Sequence, residues 1–397
     1  MNEAQGAAVG TRFADGLGVG DDLEAAAEAA TAQVLERLDG AIPDLMCVLV
    51  APGTRADPDA AAAAGRRAMR LAGARAAIGA TAGGVIGDGR GRERGPAVAV
   101  WAGVLPGSRI RAFHLSAVDA EDEPGGLPKV AADDRVAALL VDPYSFPIGA
   151  FLDRCNTAQP GFPLVGGLAS GPGGPGANRL FCDGAVHDRG AVGVVVGGRI
   201  ATRIVVSQGC RPIGPPMAVT RADGNLLLEL AGAPAYRRLV EIISALPPAE
   251  QNMARRGLHI GIAIDEYADE HGRGDFLIRG VLGADERRGV VAVGDTMQIG
   301  QTVRFQIRDP AGAREDLVEL LGGAAAPGRG ALLFSCNGRG AAMFPPPEFP
   351  GADHDVQVVT DALGAEGVAG FFAAGEIGPV GGRNHLHGFT ASLLIFP

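Results

Sequence analysis

Polar side chains that can bind a small charged ligand concentrate in one segment near the end of the chain. Between Gly375 and Thr390 lie a glutamate, an arginine, an asparagine and two histidines, interspersed with five glycines. Glycine has no Cβ atom, so the backbone at these positions can approach a ligand closely. A second polar stretch, from Ser335 to Gly340, follows an apolar run. Because ligand sites commonly form at strand ends, we predict that the two stretches form one ligand site.

The two stretches together offer groups of both charges. Arg383 or Arg339 could bind a carboxylate through two parallel hydrogen bonds, and Glu376 could pair with an ammonium group. This chemistry favours an amino acid or a similar zwitterion as the ligand. The predicted ligand-binding residues are Cys336, Asn337, Arg339, Glu376, Arg383, Asn384, His387, Thr390, Gly166, Gly167 and Ser170. The alternative is an internal ion pair of Glu376 with Arg383 or Arg339 that stabilises a glycine-rich turn.

The same residues leave other kinds of site open. Cys336 as nucleophile, with His385 or His387 as base and Glu376 as orienting group, would make a hydrolase or transferase. We favour a buried structural cysteine and therefore predict no catalytic residue. Two histidines and one glutamate are too few to predict a metal site. The chain contains no Gly-x-x-x-x-Gly-Lys-Ser/Thr pattern, and we predict no cofactor.

The elements that position these side chains recur three times along the chain. Each repeat has a short apolar strand, a helical stretch, a glycine-rich strand and a further apolar strand. The predicted strands are 44–50, 76–78, 96–104, 110–116, 136–141, 164–171, 190–196, 200–206, 259–266, 276–282, 290–293, 302–308, 331–334, 368–374 and 391–396, and the predicted helices are 21–38, 59–72, 148–156, 232–246, 313–321 and 353–363. Aligning Gly79–Gly83 with Gly166–Ser170 keeps the elements in the same order, so we infer that the first two repeats are a duplication.

Some of these strands are predicted to be neighbours. Strands 96–104 and 110–116 are expected to pair, and strands 190–196 and 200–206 are expected to form a hairpin. The second pair is joined through Gly197-Gly198, a dipeptide suited to positive backbone dihedrals. A further pair is expected around the turn Asp223-Gly224-Asn225. We also expect the segment from Gly375 to Thr390 to lie against the strand that contains Gly166 and Ser170.

Composition and charge restrict the class of protein. A chain of 397 residues with 47% hydrophobic residues can build real cores. The net charge of -10 argues against nucleic acid or an anionic membrane as the main partner. Five cysteines without Cys-x-x-Cys spacing suit a reducing compartment. The first residues do not resemble a secretory signal, and no apolar run is long enough to span a bilayer, so we predict a cytoplasmic protein.

Several blocks of the chain resemble the FIST family, the F-box and intracellular signal transduction proteins. The blocks similar to its N-terminal part are Asp142-Pro143, Val165–Ala169, Pro212–Gly214 and Leu228–Ala235, and those similar to its C-terminal part are Asp275–Arg279, Phe334–Arg339 and Gly370–Thr390. The resemblance extends from about Asp44 to Phe396. It implies a sensory module that binds small molecules, with amino acids as a proposed ligand class, and that is often fused to signalling domains.

We accordingly expect an α+β fold of layered mixed sheets covered by helices, built from repeated strand-helix-strand-strand units. Two domains are predicted, an N-terminal FIST domain at 1–230 and a C-terminal one at 231–397. No output segment remains once both are assigned, so signalling would require a separate partner protein. A scaffold that binds another protein without a small ligand is the remaining alternative, and the oligomeric state is open.

Overall fold

The computed structural model describes residues 10–54, 57–116, 127–268, 271–272, 274–322 and 329–397. They divide into two compact units. The first unit comprises the described residues up to Val206 with Val318–Leu386 and Ala391–Pro397, and the second comprises Ser207–Leu317 and His387–Thr390. The predicted domain boundary between residues 230 and 231 lies inside the second unit, so the first unit collects chain from both sides of it.

The structure has mixed helix and strand content, as predicted. The α-helices of the described residues are α1 Leu23–Arg37, α2 Pro58–Ala72, α3 Ile148–Ala158, α4 Ala235–Ala245, α5 Pro248–Arg256, α6 Pro310–Gly322 and α7 His354–Leu363. The strands up to residue 208 are β1 Arg12–Val19, β2 Leu45–Pro52, β3 Ala77–Thr81, β4 Val85–Gly87, β5 Arg90–Arg92, β6 Pro96–Val104, β7 Ser108–Leu115, β8 Asp134–Val141, β9 Leu164–Leu168, β10 Leu180–Cys182, β11 Ala185–His187, β12 Ala191–Gly198 and β13 Arg203–Gln208.

The remaining strands follow in chain order. They are β14 Cys210–Pro212, β15 Met217–Asp223, β16 Leu226–Leu230, β17 Ala233–Pro234, β18 Leu258–Ala263, β19 Phe276–Asp285, β20 Val290–Val293, β21 Thr302–Arg308, β22 Gly330–Cys336, β23 Gly367–Ala373, β24 Glu376–Val380, β25 Arg383–His387 and β26 Thr390–Phe396. Most of the predicted elements are therefore present within a few residues of their predicted ends. Helix α5 was not predicted, because Pro247-Pro248 suggested only a helix stop.

Three six-stranded sheets of the first unit share one plan. Their strand orders are β1-β6-β2-β3-β10-β11, β7-β12-β8-β9-β24-β25 and β13-β26-β22-β23-β4-β5. In each sheet the third and fourth strands are parallel neighbours joined through a helical connection. The last two strands of each sheet come from a different repeat of the chain. The structure therefore contains the three predicted repeats. The first repeat's sheet ends with strands of the second repeat, the second repeat's sheet with strands of the third, and the third repeat's sheet with strands of the first.

A glycine occupies the equivalent position in the fourth strand of each of the three sheets. Gly79 lies opposite Val48, Gly166 opposite Leu139 and Gly370 opposite Leu333. A Cβ atom on these glycines would lie 2.1, 1.9 and 1.7 Å from the carbonyl oxygen of the opposite residue. Because real Cβ atoms do not approach a carbonyl oxygen so closely, only glycine fits at these positions. The structure supports the alignment of Gly79 with Gly166 and adds Gly370 as the third copy.

The central strands are buried on both faces, which explains their continuous apolar sequence. In β2, Leu45, Cys47 and Leu49 belong to a core formed with strands of all three sheets. Met46, Val48 and Val50 point to the opposite face, where α1 and α2 cover the sheet. Strand β8 alternates in the same way between the shared core and α3. This arrangement makes the predicted layers of sheet and helix.

Helix ends in this unit follow local sequence signals. The Asp22 carboxylate accepts hydrogen bonds from the backbone N–H groups of Glu24 and Ala25 and caps α1. Asp57 caps α2 in the same way through the N–H of Ala60, and Pro58 occupies the first turn. Gly73, with φ of 57°, ends that helix in the left-handed conformation.

Two predicted strand pairings are wrong. Strand β6 pairs with β1 and β2, whereas β7 pairs with β12. Strand β12 lies between β7 and β8, whereas β13 lies beside β26 in another sheet. In both cases the chain leaves one sheet and begins the edge of the next. The short connection through Gly197-Gly198 was expected to make a hairpin of β12 and β13. The two strands instead bury their apolar residues in different sheets, and this burial decides which strands pair.

The second unit is a ring of antiparallel strands. Its closed order is β21-β15-β16-β20-β19-β18, because β18 also pairs with β21. Strands β15 and β16 pair around Gly224, as predicted. The core of the ring includes residues of α4 and α5, for example Leu239 and Ala254. Among the described residues, no helix is both long and apolar enough to cross a membrane.

Candidate functional site

Arg339 is buried in an ion pair with a residue that the sequence did not suggest. The side chain has no exposed surface, and its Nε and Nη2 atoms donate to the Asp355 carboxylate at 2.8 and 2.9 Å. Burial opposes both charges, yet each partner stabilises the other. The pKa of Asp355 is held well below its usual range, and that of Arg339 is raised. Two of the three guanidinium nitrogens of Arg339, which was predicted to bind a ligand carboxylate, thus bind a carboxylate of the protein itself.

The carboxylate of Asp355 is fully engaged. It also accepts a hydrogen bond from Ser335 Oγ at 2.7 Å and lies 2.9 Å from His354 Nδ1. The His354 ring stacks on Phe344 with centroids 3.5 Å apart, and the Arg339 guanidinium lies over the same Phe344 ring. The groups come from the end of β22, the loop after it and the start of α7. They fix this loop against the helix.

Cys336 is the last residue of β22 and lies at the carboxyl ends of two parallel strands. Its side chain is 5% exposed, and it is opposite Ala373 of β23. The backbone N–H of Gly338 donates to Sγ at 3.5 Å, and Sγ lies 3.8 Å from Asn337 Oδ1. Asn337 is exposed, and its backbone N–H donates to the Ala373 carbonyl. The predicted loop after the third-repeat strand is therefore a tight turn over the sulfur.

Glu376 lies beside the glycine-rich strand, as predicted. It is opposite Gly167 in the antiparallel pair β24–β9 and has no exposed surface. Its charge is one of those that raise the pKa of Arg339. A Cβ atom on Gly167 would lie 3.0 Å from Ala373 and Phe371, so close packing accounts for this glycine as it does for Gly166.

Ser170 and Asn384 have structural hydrogen bonds. Ser170 Oγ donates to the Phe372 carbonyl and accepts from the Gly83 N–H. The Asn384 side chain accepts from the Leu164 N–H and donates to the Phe162 carbonyl. Asn384 also pairs reciprocally with Asn156 of α3. These contacts connect β25 to α3 and join sheets within the first unit.

The remaining predicted residues differ in burial and in the unit to which they belong. Arg383 begins β25 and is exposed. His387 and Thr390 are buried and belong to the second compact unit. Of the two arginines predicted as alternative partners of a ligand carboxylate, Arg339 is buried against Asp355 and Arg383 faces solvent.

An open cleft of about 620 Å³ lies next to the loop that follows β22. It is lined by Gly91, Arg92, Glu93, Arg94, Ala341 and Ala342. One wall is therefore the end of the β4–β5 hairpin from the first repeat, and the other is the loop of the third repeat. The cleft lies wholly within the first unit.

The cleft carries positive groups beside a fixed carboxylate. The Arg92 and Arg94 side chains are exposed, and their guanidinium groups have no ion pair or hydrogen bond among the described residues. Glu93 Oε2 accepts the Ala341 N–H at 2.9 Å, and a Cβ atom on Gly340 would lie 1.9 Å from Glu93 Oε1. Gly340 therefore makes room for the carboxylate. The Gly91 N–H donates to Asp353 at 2.7 Å, which anchors the hairpin to the start of α7.

Sequence reasoning missed Asp355 and the charged residues of this hairpin. No functional role was predicted for residues 88–94. The available signal was the alternation Arg90-Gly91-Arg92-Glu93-Arg94, which places three arginines in five residues. His354-Asp355 at the start of a predicted helix was a second signal. Within the described ranges, no three His, Cys, Asp or Glu side chains are grouped so as to hold a metal ion.

Comparisons with known proteins identify relatives along the whole chain. A family model of the FIST N domain matches residues 13–233, and one of the FIST C domain matches residues 233–379. Uncharacterized protein Rv0628c of Mycobacterium tuberculosis is 44% identical over 396 residues, which cover 97% of this chain and 99% of the relative. Uncharacterized protein Mb0898c of Mycobacterium bovis is 44% identical over 393 residues, 96% of this chain and 98% of its own.

A more distant match is short. Uncharacterized protein MJ1623 of Methanocaldococcus jannaschii is 33% identical over 82 residues, 21% of this chain and 16% of the relative. FIST domains are associated with sensing in signal transduction. With two family models covering residues 13–379, this chain belongs to the FIST family and contains a FIST N domain followed by a FIST C domain.

Proposed function

We propose that this protein is a sensor that binds a small zwitterionic metabolite, an amino acid being the favoured class, in the cleft beside Arg92, Glu93 and Arg94. The proposal is carried by one observation. Two guanidinium groups that have no partner among the described residues lie beside one carboxylate in an open cleft. The family association with sensing agrees with binding rather than turnover as its role.

The charges of the cleft complement those of an amino acid. A ligand carboxylate would bind Arg92 or Arg94 through charge-assisted hydrogen bonds, which are stronger than neutral ones. Arginine suits this role because its planar fork matches a carboxylate. The ligand ammonium would bind Glu93, whose orientation is set by the Ala341 N–H. A ligand without a carboxylate or another anionic group would leave both arginines unpaired.

The position of the cleft suggests how binding would be passed on. One wall belongs to the first repeat and the other to the third, and Ala341 lies two residues beyond Arg339. A ligand that bridges both walls would hold the loop after β22 more firmly against the β4–β5 hairpin. We propose that a separate signalling protein recognises this change, and that the sensor acts in the cytoplasm.

The eleven residues predicted from the sequence stay a prediction as ligand contacts. None of them lines this cleft. The turn that precedes Ala341 and Ala342 contains Cys336, Asn337 and Arg339. These three residues would therefore position the loop that lines the cleft without contacting the ligand. The proposal therefore keeps the ligand class that was predicted from the sequence, but it assigns ligand binding to different side chains next to the same loop.

Thermal unfolding with a panel of amino acids and small carboxylates tests the proposal. A metabolite at 100 times its dissociation constant should stabilise the folded protein by about 2.7 kcal/mol. The Arg92→Gln, Arg94→Gln double variant should lose this stabilisation, and Glu93→Gln should weaken binding of amino acids while retaining an acceptor for the Ala341 N–H.

Arg90→Gln is the matched control. Arg90 is an exposed arginine of the same strand, and it does not line the cleft. It should bind the metabolite as the wild type does. If no member of the panel stabilises the wild type, or if the double variant is stabilised as much as the wild type, the proposed site is wrong.

A further inference from the structure

A second hollow of the first unit has arginines and no acidic residue among its described lining residues. It has a volume of about 490 Å³ and lies at the start of β8, beside the connection from β12 to β13. The lining residues are Arg135, Arg199, Ile200, Ala201 and Thr202, and none of them lines the cleft beside Arg92. Because positive charge without a carboxylate attracts anions, this hollow is suited to an anion rather than to a zwitterion.

Arg135 reaches the hollow from a β-bulge. Across the pair β8–β12, Val196 lies opposite Val136, but the next residue, Gly197, lies opposite Asp134. Arg135 is therefore an extra residue that has no counterpart on β12. A bulge of this kind turns the side chain of the extra residue away from the regular alternation of the strand. Arg135 is accordingly exposed, whereas the residues on both sides of it are buried.

The carboxylates next to Arg135 in the chain are already bound by other arginines. Asp134 accepts a hydrogen bond from Arg109 at 2.9 Å and also pairs with Arg111. Asp133 pairs with Arg109 as well. The guanidinium of Arg135 has no ion pair or hydrogen bond in the described part of the chain. Its charge is therefore available to a ligand.

Arg199 is held at the hollow by the connection between β6 and β7. Its backbone N–H donates to the Gly107 carbonyl at 2.9 Å. A Cβ atom on Gly107 would lie 3.7 Å from the Cβ atom of Arg199 and 3.8 Å from its Nε atom, so the arginine side chain lies along this glycine. Arg199 is exposed, and its guanidinium has no ion pair or hydrogen bond within the described ranges. A second uncompensated positive charge thus lines the hollow.

The segment after Arg199 supplies neutral hydrogen-bond donors. Ile200 and Ala201 belong to no strand, and their backbone N–H groups have no acceptor among the residues that the structure describes. The Thr202 hydroxyl likewise has no partner among them. Ile200 packs against the core that the three sheets share, and this contact fixes the segment. Guanidinium groups together with backbone N–H groups are donors with which proteins bind phosphate.

We propose that this hollow is an anion site that binds the phosphate group of a small phosphate monoester. Such a group carries about two negative charges at pH 7 and has three strong acceptor oxygens. These match the guanidinium forks of Arg135 and Arg199 and the neutral donors beside them. The hollow has room for more than the phosphate group, so the organic part of the monoester would lie beside Ala201.

Calorimetric titration of the full chain with three probes tests this inference. Glucose 6-phosphate carries the phosphate group on a sugar, inorganic phosphate carries it alone, and glucose is the matched compound without it. The wild type should bind both phosphate compounds, with glucose 6-phosphate at least as tight as inorganic phosphate, and should not bind glucose.

Substitutions of single arginines locate the site. Arg135→Gln and Arg199→Gln should each weaken binding of both phosphate compounds at least about tenfold, because each removes a charge-assisted hydrogen bond. Arg70→Gln, which removes an exposed arginine of α2, is the matched control and should bind as the wild type does. The Arg92→Gln, Arg94→Gln double variant should also bind phosphate as the wild type does, which separates this site from the proposed zwitterion site.

Three results would overturn the inference. The first is a wild type that binds neither phosphate compound. The second is equal weakening in Arg70→Gln and in the two variants of the hollow, because it would indicate only a general effect of charge. The third is weakening confined to the Arg92→Gln, Arg94→Gln variant. All of these arginines are exposed, so thermal unfolding midpoints within the error of the wild type are expected and confirm that each variant is folded.

Discussion

The guanidinium of Arg339 and the carboxylate of Asp355 form a two-point ion pair from which solvent is excluded. The two N–O distances are 2.8 and 2.9 Å, and the side chains are 0% and 4% exposed. This pair connects the loop after β22 to α7 and so holds the wall of the cleft that contains Ala341. The stability of the third repeat and the shape of the proposed site therefore depend on the same contact.

Breaking this pair should be strongly destabilising. Asp355→Ala leaves the Arg339 charge buried without a partner, and we expect a loss of about 3–5 kcal/mol in the free energy of unfolding. Glu366→Ala, which removes the half-exposed pair with Arg329, is the control and should cost less than about 1 kcal/mol. Urea unfolding followed by fluorescence of Trp101, a buried residue of the same unit, measures both. Equal losses in the two variants would contradict the argument.

The three equivalent glycines should be similarly intolerant of a side chain. In Gly79→Ala, Gly166→Ala and Gly370→Ala, the new Cβ atom would lie within about 2 Å of a carbonyl oxygen and force two parallel strands apart. We expect each to lose more than about 2 kcal/mol of stability or fail to fold. Gly149→Ala in α3, where the structure has open space, should instead stabilise by about 0.5–1 kcal/mol. Thermal unfolding of the four variants checks this contrast.

The stability of the second unit should depend on pH through His259. Burial, together with the charge of Arg308, lowers the pKa of His259 to about 4. The unfolded chain holds this proton more tightly, with a pKa near 6.5. The stabilisation is therefore complete above about pH 6.5 and is lost as the pH falls towards 4, by about 3 kcal/mol in total.

His259→Leu, which cannot be protonated, should remove this dependence. Asp15 acts in the opposite direction, because burial raises its pKa to about 6 and its contribution is present below about 3.8 and lost as the pH rises through 6. Asp15 is present in both proteins, so it cancels when they are compared. Unfolding free energies at pH 7 and 4.5 should differ by about 2–3 kcal/mol more in the wild type than in the variant. Parallel profiles would show that His259 contributes nothing.

Arg383 and Arg92 distinguish the site predicted from sequence from the one proposed from structure. Both are exposed, so Arg383→Ala and Arg92→Ala should each change the free energy of unfolding by less than about 0.5 kcal/mol. Calorimetric titration with a metabolite that stabilises the wild type should show weaker binding to Arg92→Ala and unchanged binding to Arg383→Ala. The reverse result would favour the segment Gly375–Thr390 as the ligand site.

Local patterns were sufficient to predict most of the longer elements and the threefold repeat. Apolar runs bounded by glycine and proline predicted β2, β8 and β22, because these signals act over a few residues. The glycine segments at Gly79 and Gly166 were aligned correctly, since close packing of neighbouring strands allows no other residue there.

Pairing of strands and pairing of charges could not be predicted in this way. Strands β6 and β7 are neighbours in the chain but belong to different sheets, because each buries its apolar face against strands of a different repeat. Arg339 binds Asp355, sixteen residues further on, and Glu93 meets Ala341 across 248 residues. Burial removes competing water from such contacts, so their choice depends on which distant groups the fold brings within hydrogen-bonding distance.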